Sequence, residues 1–247
     1  MFLSIVIAVY NEQGNIAELT RRIYRSLGTL KVPFELIYVI DGTDRSFAIA
    51  KHLQRFRKNL KVDHSPKKRG FRNAFVKGFS MMSKKATHIL TLDADLNHQP
   101  EEIERFIKGM KETGADVIVG SRYLRRDPRQ MEGVALWKKL VSGLANIIIR
   151  LWWNVRIKDK TSGFRLYRRE VIERIIPYCK SPNFEFLFEI VIVAEKMGYT
   201  VGEVPIRFIA RKHGTSKFEF WRVVRGYMRL MFRRYPLMPL QEKRHKS

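Results

Sequence analysis

The sequence predicts an α/β fold with a mostly parallel central sheet, and three observations predict it. Apolar, β-branched runs alternate with amphipathic stretches through residue 123, each run is short enough for a strand, and polar residues gather where the runs stop. Strands are expected over 3–10, 34–41, 88–93 and 116–123, with helices over 16–30, 46–58, 71–84 and 100–113. The first run, Phe-Leu-Ser-Ile-Val-Ile-Ala-Val-Tyr, has no basic leader or small-residue cleavage site and passes straight into Asn11-Glu12. It reads as a buried strand and not as a signal peptide. Pro100 with Glu101 and Glu102 is a good helix start, with proline in the first turn and acids at the positive end of the dipole. Beyond residue 124 the alternation lapses. Residues 124–133 are charged and loop-like, 134–153 look helical, and short strands over 164–167 and 201–209 flank a helix over 186–197. With no low-complexity linker and no internal repeat, the chain reads as one continuous domain over 1–235, followed by a basic tail over 236–247.

Composition narrows the partners. With 45% hydrophobic residues in 247, the chain can bury a sizeable core. Its 48 basic against 24 acidic residues give a formal charge of +24, which points to a polyanionic partner or surface. One cysteine, Cys179, excludes an internal disulfide and a multi-cysteine metal cluster, and it reads as a small buried hydrophobe. The most apolar window, 140–153, contains Asn146 and Arg150 and falls short of the roughly 20 apolar residues a spanning helix needs.

Ligands of open α/β sheets sit outside the carboxyl ends of the strands. Those ends carry Asn11 and Glu12, Asp41, Asp93 and Asp95, and Ser121 and Arg122. Asp93-Ala94-Asp95 follows the run His88 to Leu92 and precedes the Pro100 helix. Two acids one residue apart at a strand end can aim carboxylates at a divalent ion with hard oxygen ligands, the means by which a diphosphate is neutralised.

Four motifs, Ala8-Val9-Tyr10-Asn11-Glu12, Asp41-Gly42-Thr43, Asp93 through Glu101 and Gly120-Ser121-Arg122-Tyr123, resemble in order and spacing the family 2 inverting glycosyltransferases. Asp159 through Arg165, Glu203-Val204-Pro205-Ile206 and Arg211 through Lys217 are similar to the dolichol-phosphate mannose synthase subgroup, and the resemblance spans about residues 3–235. It implies the nucleotide-diphospho-sugar transferase fold (GT-A, Rossmann-like), with a donor-binding half over 1–123, an acceptor-binding half over 124–217 and an amphipathic helix over 218–235. It also implies transfer of mannose from GDP-mannose to a polyprenyl phosphate, with inversion, at the cytoplasmic membrane face, with room for a membrane-embedded partner protein. A donor of the UDP-glucose or UDP-N-acetylglucosamine type is the alternative.

By the same resemblance the nucleotide-sugar donor is lined by Ala8, Tyr10, Glu12, Asp41, Gly70, Asp93, Ala94, Asp95 and Asn97, with Arg211 and Lys217 closing from the C-terminal side. Asp93 and Asp95 hold Mg²⁺ or Mn²⁺, Arg122 and Ser216 meet the acceptor phosphate, and Asp95 and Arg122 carry the catalysis. The chain differs from the family pattern at Ile40, where a second acid is usual, and at Asn97, where glutamine is common.

A lipid phosphate is already an anion near neutral pH and needs no general base; a hydroxyl acceptor would, and His98 is the candidate. On a helical wheel Phe220, Trp221, Val224, Tyr227, Met228 and Met231 share one face, opposite Arg222, Arg225, Arg229 and Arg233. Such a helix suits an anionic membrane surface or, alternatively, packs its stripe on the domain. Residues 140–153, ending in Trp152 and Trp153, are a second expected lipid contact. The competing class is a basic nucleic-acid-binding module. Without zinc-finger spacing, an RNA-recognition aromatic signature or a separate basic arm, no nucleic-acid partner is expected.

Overall fold

The computed structural model describes residues 1–124, 131–132, 143, 146–147, 151–153, 155–209, 225–226, 228–230, 232–233 and 235. A seven-stranded sheet runs in the order β3-β2-β1-β4-β7-β5-β8. Its strands are β1 (Leu3–Tyr10), β2 (Phe34–Asp41), β3 (Leu60–Ser65), β4 (His88–Thr91), β5 (Val117–Ser121), β7 (Arg165–Arg168) and β8 (Val201–Pro205). Every pairing is parallel except those of β7, which runs antiparallel between β4 and β5. A two-stranded parallel ladder joins β6 (Met131–Glu132) to β9 (Phe208–Ile209).

The side-chain period of two divides each strand between two helical layers. In β1, Leu3, Ile5, Ile7 and Val9 join the cluster under α1 (Ile16–Leu30), α2 (Ser46–Arg55) and α4 (Ile103–Thr113). Val6 points the other way, to α3 (Phe71–Ser80), α5 (Arg169–Ile175) and α6 (Glu185–Lys196). Both faces are buried, which is why these strands read as unbroken apolar runs.

The strands and helices expected through residue 123, and those over 164–167 and 186–197, are present, several with shorter or shifted ends, whereas the helices expected over 134–153 and 218–235 lie mostly outside the described residues. The helix expected over 46–58 stops at Arg55, that over 71–84 stops at Ser80, and the Pro100 start is a 3₁₀ turn (Pro100–Glu102) leading into α4. Residues 201–209 form two strands, not one. Among the described residues β3, α5, the 3₁₀ turn that follows it (Ile176–Tyr178) and the two-residue β6, in a stretch expected as loop, are additions to the expected set. β3 is an edge strand of mostly half-buried residues with Lys61, Asp63 and His64 in its middle, so its apolar signal is weak. The seven-residue α5 is too short to show a clear period.

Where the strands end, the backbone is drawn tight. Asn11 sits at φ 53° and Gly42 at φ 109°, and a Cβ on Gly42 would lie 2.0 Å from Asn11 Oδ1. Glycine at 42 lets the ends of β1 and β2 meet.

Candidate active site

The parallel strands bring their carboxyl ends to one rim, and the acids expected there stand together at the end of β4. Asp95 is buried, and its Oδ1 accepts the Asn97 N–H at 3.1 Å, pinning a loop that turns through Leu96 at φ 61°. Asp93 is about a third exposed. A Cβ on Gly163 would fall 2.7 Å from Asp93 Oδ1, so the bare backbone at 163 makes room for that carboxylate. Thr91 Oγ1 donates to Gly163 O at 2.8 Å and ties the two segments together. Ala94 is buried between the acids.

His98 lies beneath this loop, 1% exposed, between Phe164 and Phe208. Its Nδ1 accepts the Asp93 N–H at 3.3 Å, so Nε2 carries the proton, and Nε2 is buried without a hydrogen-bond partner. Burial holds its pKa down to about 4; Asp95 and Asp159 push up and Arg122 pushes down. The ring is therefore neutral, and its 3.4 Å approach to Asp93 Oδ2 is not an ion pair at neutral pH. A backbone bridge to Phe208 and the Ile209 N–H on Asn97 O at 3.0 Å fasten the loop to β9.

Asn97 Oδ1 is also buried without a partner. Two carboxylates and one uncommitted amide oxygen form a hard-oxygen donor set of the kind Mg²⁺ or Mn²⁺ takes. Among the described residues no group of three or more His, Cys, Asp or Glu could hold a metal alone. The set fits an ion that completes its shell with water and ligand phosphate oxygens.

Arg122, at the end of β5, is aimed by a buried partner. Its Nε and Nη2 donate to the two oxygens of Asp159 at 2.7 and 2.8 Å, its backbone N–H donates to Asp159 Oδ2 at 3.0 Å, and Nη2 reaches Thr161 Oγ1 at 2.6 Å. Asp159 is 0% exposed, and desolvation that would raise its pKa is outweighed by Arg122, which lowers it. Glu203 in turn accepts the N–H groups of Lys158 and Asp159. The guanidinium stacks over Phe208 at 5.2 Å and is close enough to Asp93 to feel its charge.

Across the rim, Asp41 does not stand open as the sequence suggests. It is 4% exposed, with Oδ2 accepting the Arg69 N–H and Oδ1 the Arg69 Nε, each at 2.7 Å. Arg69 also bonds Asp63 and donates to Ile40 O at 3.2 Å, so it braces the loop leading to Gly70. Gly70, at φ 92°, caps α3 and would place a Cβ 3.7 Å from Pro182 O. Lys68 Nζ sits 4.8 Å over the Tyr10 ring, Glu12 accepts from Asn15 Nδ2 at 2.7 Å, and Ala8 is half-buried behind them.

The model of the family described as "Glycosyl transferase family 2" matches residues 4–176. The chain belongs to glycosyl transferase family 2. Among its family 2 relatives, the dolichol-phosphate mannosyltransferase of Pyrococcus furiosus is 34% identical over 237 residues, which is 94% of this chain and 63% of that one. The polyprenol monophosphomannose synthase of Mycolicibacterium smegmatis is 33% identical over 218 residues, 86% of this chain and 79% of that one. This chain thus spans under two thirds of the Pyrococcus protein's length. The GT-A fold is shared with mannosyl-3-phosphoglycerate synthase from Rubrobacter xylanophilus, at TM-score 0.64 and 14% identity over 94% of this chain and 73% of that one. It is shared as well with the mannosyltransferase PcManGT from Pyrobaculum calidifontis, in complex with GDP-Man and Mn²⁺, at TM-score 0.58 and 15% identity over 90% and 60%.

Of the expected site residues, Ala8, Tyr10, Glu12, Asp41, Gly70, Asp93, Ala94, Asp95, Asn97 and Arg122 lie along this family 2 rim, while Arg211, Ser216 and Lys217 lie outside the described residues. Sequence reasoning missed Asp159, Arg69 and the burial of His98. Asp159 stood in a motif, between Lys158 and Lys160, but its need for a cation follows from its burial, which only the structure shows.

The two expected lipid-facing segments are described only in part. Met228 is 48% exposed, Arg225 and Arg229 are exposed, and Gly226 and Leu230 face inward. The apolar stripe is thus not the packed face at Met228. Phe220, Trp221, Val224, Tyr227 and Met231 lie outside the described residues. Trp152 and Trp153 part company: Trp152 is 53% exposed, with Leu151 at 79% beside it, whereas Trp153 is half-buried against Tyr235. Among the described residues no helix is long and apolar enough to cross a membrane.

Proposed function

We propose that the chain transfers mannose from GDP-mannose to a polyprenyl phosphate, with inversion, at the cytoplasmic face of a membrane. Residues 1–123 form its donor half and 124–217 its acceptor half. One observation carries the reading: the acidic pair at the end of β4 lies, through Asp93, within electrostatic reach of an arginine at the end of β5 that a buried aspartate holds in place. The first suits a diphosphate with its cation, and the second suits an anionic acceptor. The names of the two relatives, both mannosyl transferases to prenyl-type phosphates, support the same pairing of substrates.

In this reading Asp93, Asp95 and the Asn97 amide oxygen hold Mg²⁺ or Mn²⁺, which when bound offsets the charge that builds on the departing diphosphate. Arg122 orients the acceptor phosphate, and because Asp159 holds the Nε–Nη2 edge of its guanidinium it loses little freedom when it does so. No side chain need remove a proton, since the attacking oxygen is already anionic. The enclosure of His98 by Phe164 and Phe208 supports a positioning role for it over that of a base.

A UDP-sugar is the second reading for the donor. It stays beside the first because Ile40 is buried where the family usually has an acid and Arg69 holds Asp41, so neither position selects the base.

The test is transfer from a panel of labelled GDP- and UDP-sugars to a polyprenyl phosphate, with Mn²⁺, with Mg²⁺ and with chelator. Metal-dependent transfer from GDP-mannose alone is expected, and Asp95→Ala should abolish it with the far-UV spectrum unchanged. Transfer from a UDP-sugar instead would replace the donor, and full activity of Asp95→Ala would remove the metal assignment.

A further inference from the structure

The described C-terminal residues reach the body of the protein through a buried carboxylate as well as through apolar contacts of Leu230 and Tyr235. A Cβ on Gly226 would meet the Glu185 carboxylate at 2.7 Å, Leu230 is buried, and Arg233 and Tyr235 both reach Glu189 on α6. Glu189 is 0% exposed. Its Oε1 accepts from Arg233 Nη1 at 2.6 Å and from the Tyr235 hydroxyl at 2.8 Å, and its Oε2 accepts the Ser181 N–H at 2.7 Å. A carboxylate cut off from water is costly unless it is paired and hydrogen-bonded. Two separate segments supply those partners here.

Each segment leads somewhere. The residues beside Ser181 support the start of α3: the Arg72 N–H donates to Pro182 O at 3.2 Å and Arg72 Nε to Cys179 O at 2.6 Å, just past Gly70. The residues beside Arg233 are exposed and apolar: Phe232 is 73% exposed, 6.3 Å edge-on from the exposed Trp152, and Met228 is 48% exposed.

We infer that Glu189 is a positioning residue, whose buried carboxylate docks the exposed apolar surface around Phe232 onto the body and so fixes where that surface stands relative to the loop at Gly70. The role of that surface at a lipid interface rests on the acceptor proposed above; the docking itself does not.

The test uses the full chain with Glu189→Gln and, as a milder change that removes one of three hydrogen bonds, Tyr235→Phe. Three quantities are read: amide exchange at residues 226 and 228–230, affinity for GDP, and transfer to a long polyprenyl phosphate in vesicles against a short, water-soluble prenyl phosphate. In Glu189→Gln, exchange should quicken roughly tenfold or more and vesicle transfer should fall by a similar factor, with GDP affinity and short-acceptor transfer kept within about twofold. Tyr235→Phe should show the same pattern more weakly. Unchanged exchange in both variants would overturn the docking role. A parallel loss of GDP affinity and short-acceptor transfer would show a merely structural residue and overturn it as well. If the unaltered chain transfers to neither acceptor, the acceptor reading fails, and the exchange rates decide the docking claim alone.

Discussion

Asp93 stands where it does because residue 163 has no side chain. A methyl group there would lie 2.7 Å from Oδ1, and the end of the Asp93 side chain would have to turn to admit it. Gly163→Ala should therefore turn the carboxylate and weaken Mn²⁺ binding by about ten- to a hundredfold, the range seen when the support of a metal ligand is disturbed. Titration of Mn²⁺ by electron paramagnetic resonance, with GDP present, reads this directly, and an unchanged affinity would show that Asp93 is not a ligand. At this scale the sequence is legible where chemistry coincides with a strand end, as at Asp93, Asp95 and Arg122. It is illegible where a side chain's role depends on a distant neighbour. Asp41 looks like an open carboxylate in sequence, and only the fold brings Arg69 onto both of its oxygens. His98 looks like a candidate base, and only the fold shuts it between two rings.

The elements that were legible are those buried on both faces. β1, β2 and β5 are continuous apolar runs because helices cover each side, and α1 and α4 show their period because one face of each is buried. β3 was missed since an edge strand needs little apolar surface, and the antiparallel entry of β7 between β4 and β5 leaves no local signature because pairing partners are set by topology. Close approach of α3 to the sheet is a further consequence of composition. A Cβ on Gly78 would lie 2.3 Å from Val6 Cγ1 and 3.2 Å from Val39 Cγ2, so glycine sets the helix-to-sheet distance there. Gly78→Ala gains helix propensity yet overpacks the contact, and the overpacking should win by about 1–3 kcal/mol. Urea denaturation would show a lower midpoint at unchanged slope; a midpoint at or above the original would mean that α3 can slide outward freely.

Two properties belong to the whole molecule. The first is acid sensitivity. Burial holds both His88 and His98 down to about 4, below the 6.5 of the unfolded chain. Between those values the unfolded state binds more protons, so these histidines leave stability untouched above pH 6.5 and erode it as pH falls toward 4. The melting temperature should drop through that window, and His88→Gln should flatten the drop; a pH-independent melting temperature would contradict both shifts. The second is adsorption. A charge of +24 raises the concentration of the chain at an anionic surface, with each basic residue near a membrane worth about 1 kcal/mol, but the attraction is screened beyond about 8 Å at physiological salt. Exposed Phe232, Leu151 and Trp152 contribute a term that salt does not screen. Binding to vesicles containing anionic lipid should therefore fall steeply with added salt to a residual plateau. Phe232→Ser should remove roughly tenfold of that plateau while leaving the low-salt slope unchanged. If the slope changed and the plateau did not, Phe232 would be acting through its arginine neighbours, Arg229 and Arg233. If there were no plateau at all, the exposed aromatics would play no part at the lipid surface and charge alone would hold the chain there.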